Sequence, residues 1–207
     1  MNALLRRTFI AAAAVTGALA LAACNGNGGA AASAEGDMTL GNDNAAVTVV
    51  EYASVTCGHC AAWNETVWPE FKRKYVDTGK VKYVFREFPT APAPVAAAGF
   101  LLARCAGEER YFEVVDAIFR SQADWQAGTN PRDSLLNIAR SVGMNEQEFQ
   151  RCVSDEDAIA AFEERTQAAI AAGVTGTPAF YVNGEAVQDS SMANLERVID
   201  PLLAQQG

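Results

Sequence analysis

The chain has 207 residues, of which 50% are hydrophobic and 20% are charged. A globular chain of this length can bury one substantial core, and a second full domain would be crowded. The formal net charge of −9 makes nucleic acids and acidic ligands poor general partners, because an acidic surface repels them.

The first segment has the features of an export signal. Arg6 and Arg7 form a short basic stretch, and an apolar run from Phe9 to Ala23 follows it. This run is shorter than the roughly 20 residues that a membrane-spanning helix needs. We therefore interpret residues 1–23 as a signal peptide. The paired arginines also resemble a twin-arginine signal, so both the general and the twin-arginine export routes remain open.

Cys24 directly follows the sequence Leu21-Ala22-Ala23, which resembles the lipobox of bacterial lipoproteins. The resemblance implies that Cys24 carries lipid and tethers the mature chain to a membrane. Ordinary cleavage nearby, with loss of Cys24, is the alternative. Residues 24–45 are rich in Gly, Ala, Asn and Ser, and this composition predicts a flexible linker ahead of a folded domain over 46–207.

An α/β unit is predicted directly after the linker. The β-branched run from Val47 to Tyr52 is nearly continuous in apolar character, which indicates a buried central strand. Apolar residues at helical spacing predict a helix from Gly58 to about Asp77, bent near Pro69. Val81 to Phe88 predicts a second strand, so that strand, helix and strand form a right-handed parallel unit.

The second half of the chain is predicted to be helical and then to return to the sheet. Only helical patterning occurs from Val95 to Ala172, and we interpret residues 92–155, approximately, as a helical insertion. The turn Asn183-Gly184 lies between two short strand patterns, which predicts a β-hairpin before a last helix. These elements together predict an α/β, thioredoxin-like fold that helices interrupt between the first strand-helix-strand unit and the hairpin.

The motif Cys57-Gly58-His59-Cys60 lies between the first predicted strand and helix. Cysteines at this spacing can close a short disulfide, and a helix N-terminus stabilises the thiolate of the first one. A c-type haem would need a histidine where the chain has Ala61, and zinc would need a second close pair of ligands. A structural disulfide would instead join distant segments. The motif therefore predicts a redox-active pair that uses no cofactor or metal.

Several motifs resemble those of DsbA-like thiol-disulfide oxidoreductases, in the same order along the chain. They are Glu51-Tyr52, the CGHC motif, Pro69 and Thr177-Pro178, within a match from about Met38 to Ala204. The resemblance implies that Cys57 is the exposed nucleophile and Cys60 the buried resolving thiol. It also implies that Pro178 is a cis-proline facing them and that the backbone of Thr177 binds substrate. Without the resemblance, an ordinary trans turn would explain Pro178 equally well.

Three further residues are expected to tune the redox pair, namely Gly58, His59 and Glu51. His59 is the only histidine of the chain and should favour the Cys57 thiolate, although a lone histidine is often structural. Glu51 matches the buried acid of the family, which exchanges a proton with Cys60. A strand-edge position facing water is the alternative for this glutamate.

The two remaining cysteines, Cys105 and Cys152, lie on the apolar faces of separate predicted helices. They could be buried free thiols, but an oxidising compartment favours a structural disulfide between them. Such a bridge would close a loop of about 48 residues, worth about 4 kcal/mol from chain entropy.

The resemblance implies an exported enzyme that introduces disulfides into unfolded, cysteine-containing proteins by thiol-disulfide exchange. We expect a monomer in the periplasm or at an extracytoplasmic membrane face, reoxidised by a membrane thiol oxidase. A disulfide isomerase or reductase is the alternative within the enzyme class. From another class, a tethered metal-binding lipoprotein could use Cys57 and Cys60 with His59 as ligands.

Overall fold

The computed structural model describes Ala34 and residues 36–205. The predicted signal peptide, the lipid attachment site Cys24 and the first part of the linker lie outside these residues. None of the helices that the structure describes is both long enough and apolar enough to cross a membrane.

A five-stranded sheet with the order β1-β3-β2-β4-β5 forms the centre of the fold. The strands are β1 Met38–Gly41, β2 Val47–Ala53, β3 Val81–Glu87, β4 Ala179–Val182 and β5 Glu185–Val187. β2 and β3 are parallel, and the other three pairings are antiparallel. β2 is the central strand, as its apolar run predicts. Asn183 and Gly184 both have positive φ, 47° and 89°, and form the turn of the β4–β5 hairpin.

Strand β1 corrects the predicted linker. Met38 pairs with Phe85 of β3 and is buried, so the prediction of a flexible spacer up to residue 45 is wrong for this segment. Gly41 has a φ of 92°, and a side chain there would clash with the carbonyl oxygen of Val81. A glycine that the composition assigns to a spacer is therefore needed for close packing of two strands.

Eight α-helices belong to the described part of the chain. They are α1 Gly58–Thr66, α2 Trp68–Phe71, α3 Ala93–Cys105, α4 Glu108–Gln126, α5 Pro131–Ser141, α6 Glu146–Val153, α7 Glu156–Ala171 and α8 Met192–Ala204. A π-helical turn, Lys72–Val76, continues α2. The bend predicted near Pro69 is a break at Val67, and Pro69 lies in the first turn of α2, where its missing N–H costs no helical hydrogen bond.

Helices α3 to α7 separate β3 from β4. α6 begins with a capping box between Asn145 and Glu148. The N-cap of α7 is Asp155, and its side chain accepts a hydrogen bond from the Ala158 N–H. Ala169 of α7 packs with the residues of β2 and β3 on one face of the sheet, and the larger core lies on the other face.

Glu87, at the end of β3, connects the sheet to three of the helices that separate β3 from β4. Its buried carboxylate accepts hydrogen bonds from Arg104 of α3 at 2.6 Å, Arg165 of α7 at 2.9 Å and Tyr111 of α4 at 3.0 Å. A buried charge is costly unless it is paired in this way. The network therefore fixes α3, α4 and α7 on the strand that neighbours β2.

A disulfide joins Cys105, at the end of α3, to Cys152 of α6, with their Cα atoms 6.2 Å apart. The bond crosses between two helices of the insertion and is remote in sequence from Cys57 and Cys60. Its closed loop restricts the unfolded chain, which is the usual way in which a disulfide stabilises a fold.

Replacing both bridge cysteines, by Cys105→Ala with Cys152→Ala, should lower the free energy of unfolding by about 4 kcal/mol because the loop-closure entropy is lost. Urea unfolding of the parent and the variant, both without reductant, measures the difference. Cys105→Ala alone is the matched control and should cost about as much, since either change removes the bridge. An unchanged free energy, or free thiols at both positions in unreduced peptide maps, would contradict the prediction.

Candidate active site

Cys57 and Cys60 lie where β2 leads into α1. Cys57 is the N-cap residue of α1, and its sulfur accepts a hydrogen bond from the backbone N–H of Cys60 at 3.2 Å. A helix N-terminus offers unpaired N–H groups and the positive end of the helix dipole, so it favours a negative sulfur. Both side chains are free thiols; Cys57 is 8% exposed and Cys60 is fully buried. Only Cys57 can therefore meet a large substrate.

The surroundings of Cys57 lower its pKa to about 5. The largest cause is the Cys60 thiol, which donates a hydrogen bond to the Cys57 sulfur, while burial acts in the opposite direction. The backbone N–H groups of Cys60 and His59 also favour the thiolate. Cys57 is therefore a thiolate at neutral pH in the reduced protein.

The pKa of Cys60 changes in the other direction. Burial is the main cause, followed by the hydrogen bond that Cys60 donates to Cys57 and by the electrostatic effect of Glu51, and together they raise its pKa far above the ordinary value. The reduced pair thus consists of one thiolate and one thiol that shares its proton with it. Cys60 cannot act as a nucleophile until a base removes that proton.

Glu51 is a buried acid on the sheet beneath the two cysteines. It is 2% exposed and lies in the central strand β2, so the edge position facing water does not apply. Burial raises its pKa to about 8, although a short hydrogen bond from the Tyr83 hydroxyl lowers it and the charge of Cys57 adds to the increase. A carboxyl group with this pKa can both accept and donate a proton near neutral pH.

The loop before β4 lies next to Cys57, although it is about 120 residues later in the chain. The Thr177–Pro178 peptide bond is cis, and the Cys57 thiol lies 3.5 Å from the carbonyl oxygen of Thr177. The hydroxyl oxygen of Thr177 is buried and has no hydrogen-bond partner among the described residues. Residues 173–181 and 186–188 line an open groove of about 400 Å³ that begins at this loop. Thr177 lines this groove and also contacts the Cys57 thiol, so the groove adjoins the redox pair.

The two residues between the cysteines differ in what they contribute. His59 is exposed, and its backbone N–H is the group that favours the Cys57 thiolate. A side chain at Gly58 would meet no heavy atom within 4 Å, so packing does not require a glycine there. Glycine leaves the approach to Cys57 open.

Gln122 of α4 is a site residue that the sequence analysis missed. Its side-chain amide is buried and donates to the carbonyl oxygens of Val55, at 2.8 Å, and Cys57, at 3.3 Å. The insertion thereby fixes the backbone that leads into the redox motif. The sequence does contain a signal for this role, because Gln122 is a polar residue on an apolar helix face, three positions after Phe119 and four after Ile118.

Most of the chain matches a known protein family and is similar in sequence to bacterial proteins. Residues 33–201 match the family model described as Thioredoxin. A protein of Rickettsia prowazekii, provisionally named protein-disulfide oxidoreductase, is 36% identical over 171 residues. The aligned segment is 82% of this chain and 62% of that relative, so the chain spans less than two thirds of the relative's length.

Solved structures share the fold. The crystal structure of Wolbachia pipientis alpha-DsbA1 is 28% identical, with a TM-score of 0.75, and the match covers 84% of this chain and 94% of that one. The crystal structure of a protein-disulfide isomerase from Novosphingobium aromaticivorans is 26% identical, with a TM-score of 0.70, covering 83% and 99%. The predicted thioredoxin-like fold with a helical insertion is confirmed.

Proposed function

This chain belongs to the thioredoxin family and, within it, to the DsbA-like thiol-disulfide oxidoreductases, and we propose that it oxidises thiols of exported proteins to disulfides. The main support for this proposal is the position of the Cys57 sulfur at the N-terminus of α1, beside the buried thiol of Cys60. The pKa of Cys57 is lowered to about 5 there. Stabilising the thiolate favours the reduced pair, so that the Cys57–Cys60 disulfide is a strong oxidant.

The reaction begins when a substrate thiolate attacks the Cys57 sulfur of the disulfide. The bond between the cysteines breaks, its electron pair leaves on Cys60, and Cys60 takes a proton from Glu51. A second substrate thiolate then attacks the substrate sulfur of the mixed disulfide. Cys57 leaves as a thiolate, which its low pKa makes a good leaving group. The substrate now holds a disulfide, and the enzyme holds a thiolate and a thiol.

Unfolded, cysteine-containing polypeptides are the substrates that fit this surface. Thr177 and Pro178 border Cys57 and lead into an open groove, where backbone groups of the loop can pair with an extended chain. Backbone pairing is largely independent of sequence, which suits an enzyme that acts on many exported proteins. Gly58 keeps this approach open, and the backbone N–H of His59 helps to stabilise the Cys57 thiolate.

The reduced enzyme must be reoxidised, and a membrane thiol oxidase is the partner that we propose. The protein then works as a monomer outside the cytoplasm, in the periplasm or at an extracytoplasmic membrane face. The Cys105–Cys152 disulfide supports this location because such bonds persist in oxidising compartments. A lipid on Cys24 would hold the enzyme close to a membrane-bound oxidase.

Disulfide isomerisation is the second candidate function, since one structure with the same fold is named as an isomerase. It uses the same mixed disulfide at Cys57 but needs the reduced pair as its resting state. A metal-binding role is less well supported. Within residues 34 and 36–205 no three His, Cys, Asp or Glu side chains are grouped so that they could hold a metal ion.

The parent protein should oxidise a reduced, unfolded test protein catalytically in a glutathione buffer, measured as recovered activity of the test protein. Cys57→Ser should abolish catalysis, whereas Cys60→Ser, which cannot form the Cys57–Cys60 disulfide, should accumulate a mixed disulfide between Cys57 and glutathione. Cys105→Ala with Cys152→Ala is the matched cysteine control and should retain activity. The reduction potential of the parent is measured by titration with glutathione buffers. A potential as low as that of thioredoxin, about −270 mV, would contradict the oxidase proposal and favour a reductase.

Cys24→Ser should release an active, soluble protein, because the lipid and not the folded domain provides the membrane attachment. Labelling of cells with radioactive fatty acid, followed by fractionation, tests this. Parent protein that remains unlabelled and is recovered without membranes would show that Cys24 is not lipidated.

A further inference from the structure

The turn between β2 and α1 determines where the Cys57 sulfur lies. It runs from Ser54 to Cys57 and is closed by a hydrogen bond of 3.0 Å from the Cys57 backbone N–H to the Ser54 carbonyl oxygen. Cys57 is the N-cap residue of α1, so the distance from its sulfur to the helical N–H groups depends on the backbone of this turn. A residue that holds the turn therefore also holds the sulfur at the helix N-terminus.

The turn is held from two sides. On one side, the Gln122 amide of α4 donates to the carbonyl oxygens of Val55 and Cys57. On the other side lies the loop that follows β3. The backbone N–H of Thr90 in this loop donates to Ser54 Oγ at 3.0 Å. The helical insertion thus holds the backbone of the turn, whereas the loop after β3 contacts its side chains.

Three hydroxyl groups connect the turn to that loop, and the hydroxyl of Thr56 is at their centre. Thr56 Oγ1 donates to the carbonyl oxygen of Thr90 at 3.1 Å and lies 2.9 Å from Thr90 Oγ1 and 3.0 Å from Ser54 Oγ. A hydroxyl group has one proton and two lone pairs. Because the Thr56 proton goes to the carbonyl oxygen, the hydroxyls of Ser54 and Thr90 are the donors to its lone pairs. All three protons are therefore used, and Thr56 is the residue directly before Cys57.

The stabilisation of the Cys57 thiolate depends on the alignment of short hydrogen bonds. The backbone nitrogen of Cys60 lies 3.2 Å from the Cys57 sulfur, and the backbone N–H of His59 also favours the thiolate. Such bonds weaken steeply as the angle at the hydrogen bends. A small displacement of the turn would therefore reduce the stabilisation.

We propose that Thr56 and Thr90 are positioning residues of the redox centre, which hold the Cys57 sulfur at the N-terminus of α1 through their linked hydroxyl groups. The inference rests on the proposed function and extends it. The two threonines stabilise the reduced pair, and so strengthen the disulfide as an oxidant, without taking part in any bond that forms or breaks.

The ionisable side chains close to Cys57 are those of His59 in the same motif, Cys60 on α1 and Glu51 on β2. Within the described residues, neither threonine hydroxyl is hydrogen-bonded to any of these side chains or to the Cys57 sulfur. The two threonines therefore act on the charge of Cys57 through the position of its backbone and not through proton transfer.

The test compares variants of the full chain by ultraviolet titration of the thiolate and by equilibration with glutathione buffers. Thr56→Val keeps the size and branching of the side chain but removes all three hydrogen bonds of its hydroxyl. The midpoint of the Cys57 titration should rise by about one pH unit. The glutathione equilibrium should move about tenfold toward the Cys57–Cys60 disulfide, since one unit corresponds to a factor of about ten.

Two further variants serve as controls. Thr56→Ser keeps the hydroxyl and should give parent values for both the titration and the equilibrium. Thr66→Val is the same change at an exposed position of α1, where the hydroxyl donates to the Ala62 carbonyl oxygen of its own helix. It should also leave both values at those of the parent.

Urea unfolding of the reduced and oxidised forms separates positioning from a general effect on stability. Thr56→Val should destabilise the reduced form more than the oxidised form, because only the reduced form contains the thiolate. Equal losses in both forms with a parent-like titration would overturn the proposal, and so would Thr56→Ser values that match those of Thr56→Val.

If Thr56→Val does not fold, Thr90→Val decides the question. It removes one donor to Thr56 and should raise the titration midpoint by a smaller amount, whereas an unchanged midpoint would overturn the proposal. A parent that titrates only near the ordinary thiol value would instead contradict the proposed function. That result differs from one in which the parent titrates near pH 5 and the threonine variants behave like it.

Discussion

The hydrogen bonds that the thiol and the backbone N–H of Cys60 donate to the Cys57 sulfur stabilise a negative charge at the positive end of α1. These interactions are strongest for a thiolate and are largely lost when the sulfur is part of a neutral disulfide. They therefore lower the free energy of the reduced pair relative to the oxidised pair and make the disulfide easy to transfer. The buried thiol of Cys60 and the loop at Thr177 have their functions only because the charge is held at Cys57.

The sheet contains two buried glutamates whose surroundings lead to different roles. Glu87 on β3 is paired with Arg104 and Arg165, so its charge is compensated and it connects the sheet to the insertion. Glu51 on β2 has the Tyr83 hydroxyl as its partner, and burial raises its pKa to about 8. One carboxyl group is therefore suited to holding helices in place and the other to moving protons.

Much of the fold and of the redox pair could be predicted from the sequence, because periodicity and the CGHC motif are local signals. The strands β2 to β5 and the position of Cys57 before α1 follow from residues that are neighbours in the chain. Strand β1 could not be predicted, because its pairing with β3 depends on a distant strand and its own composition resembles a linker. Gln122 and the partners of Glu87 were missed for the same reason: their roles arise only when the helices that follow β3 pack on the sheet.

Oxidation of substrates by this pair depends on the charge of Cys57 in the reduced protein. Because its pKa falls from 9.0 to about 5 on folding, the thiolate should stabilise the reduced protein increasingly as pH rises through this range. That stabilisation should be lost as pH falls through about 5. The decisive measurement is the ultraviolet absorbance of the thiolate against pH, with Cys57→Ser as the control. We expect a transition near pH 5 that the control lacks, whereas a transition only near the ordinary thiol value would contradict a stabilised thiolate at Cys57.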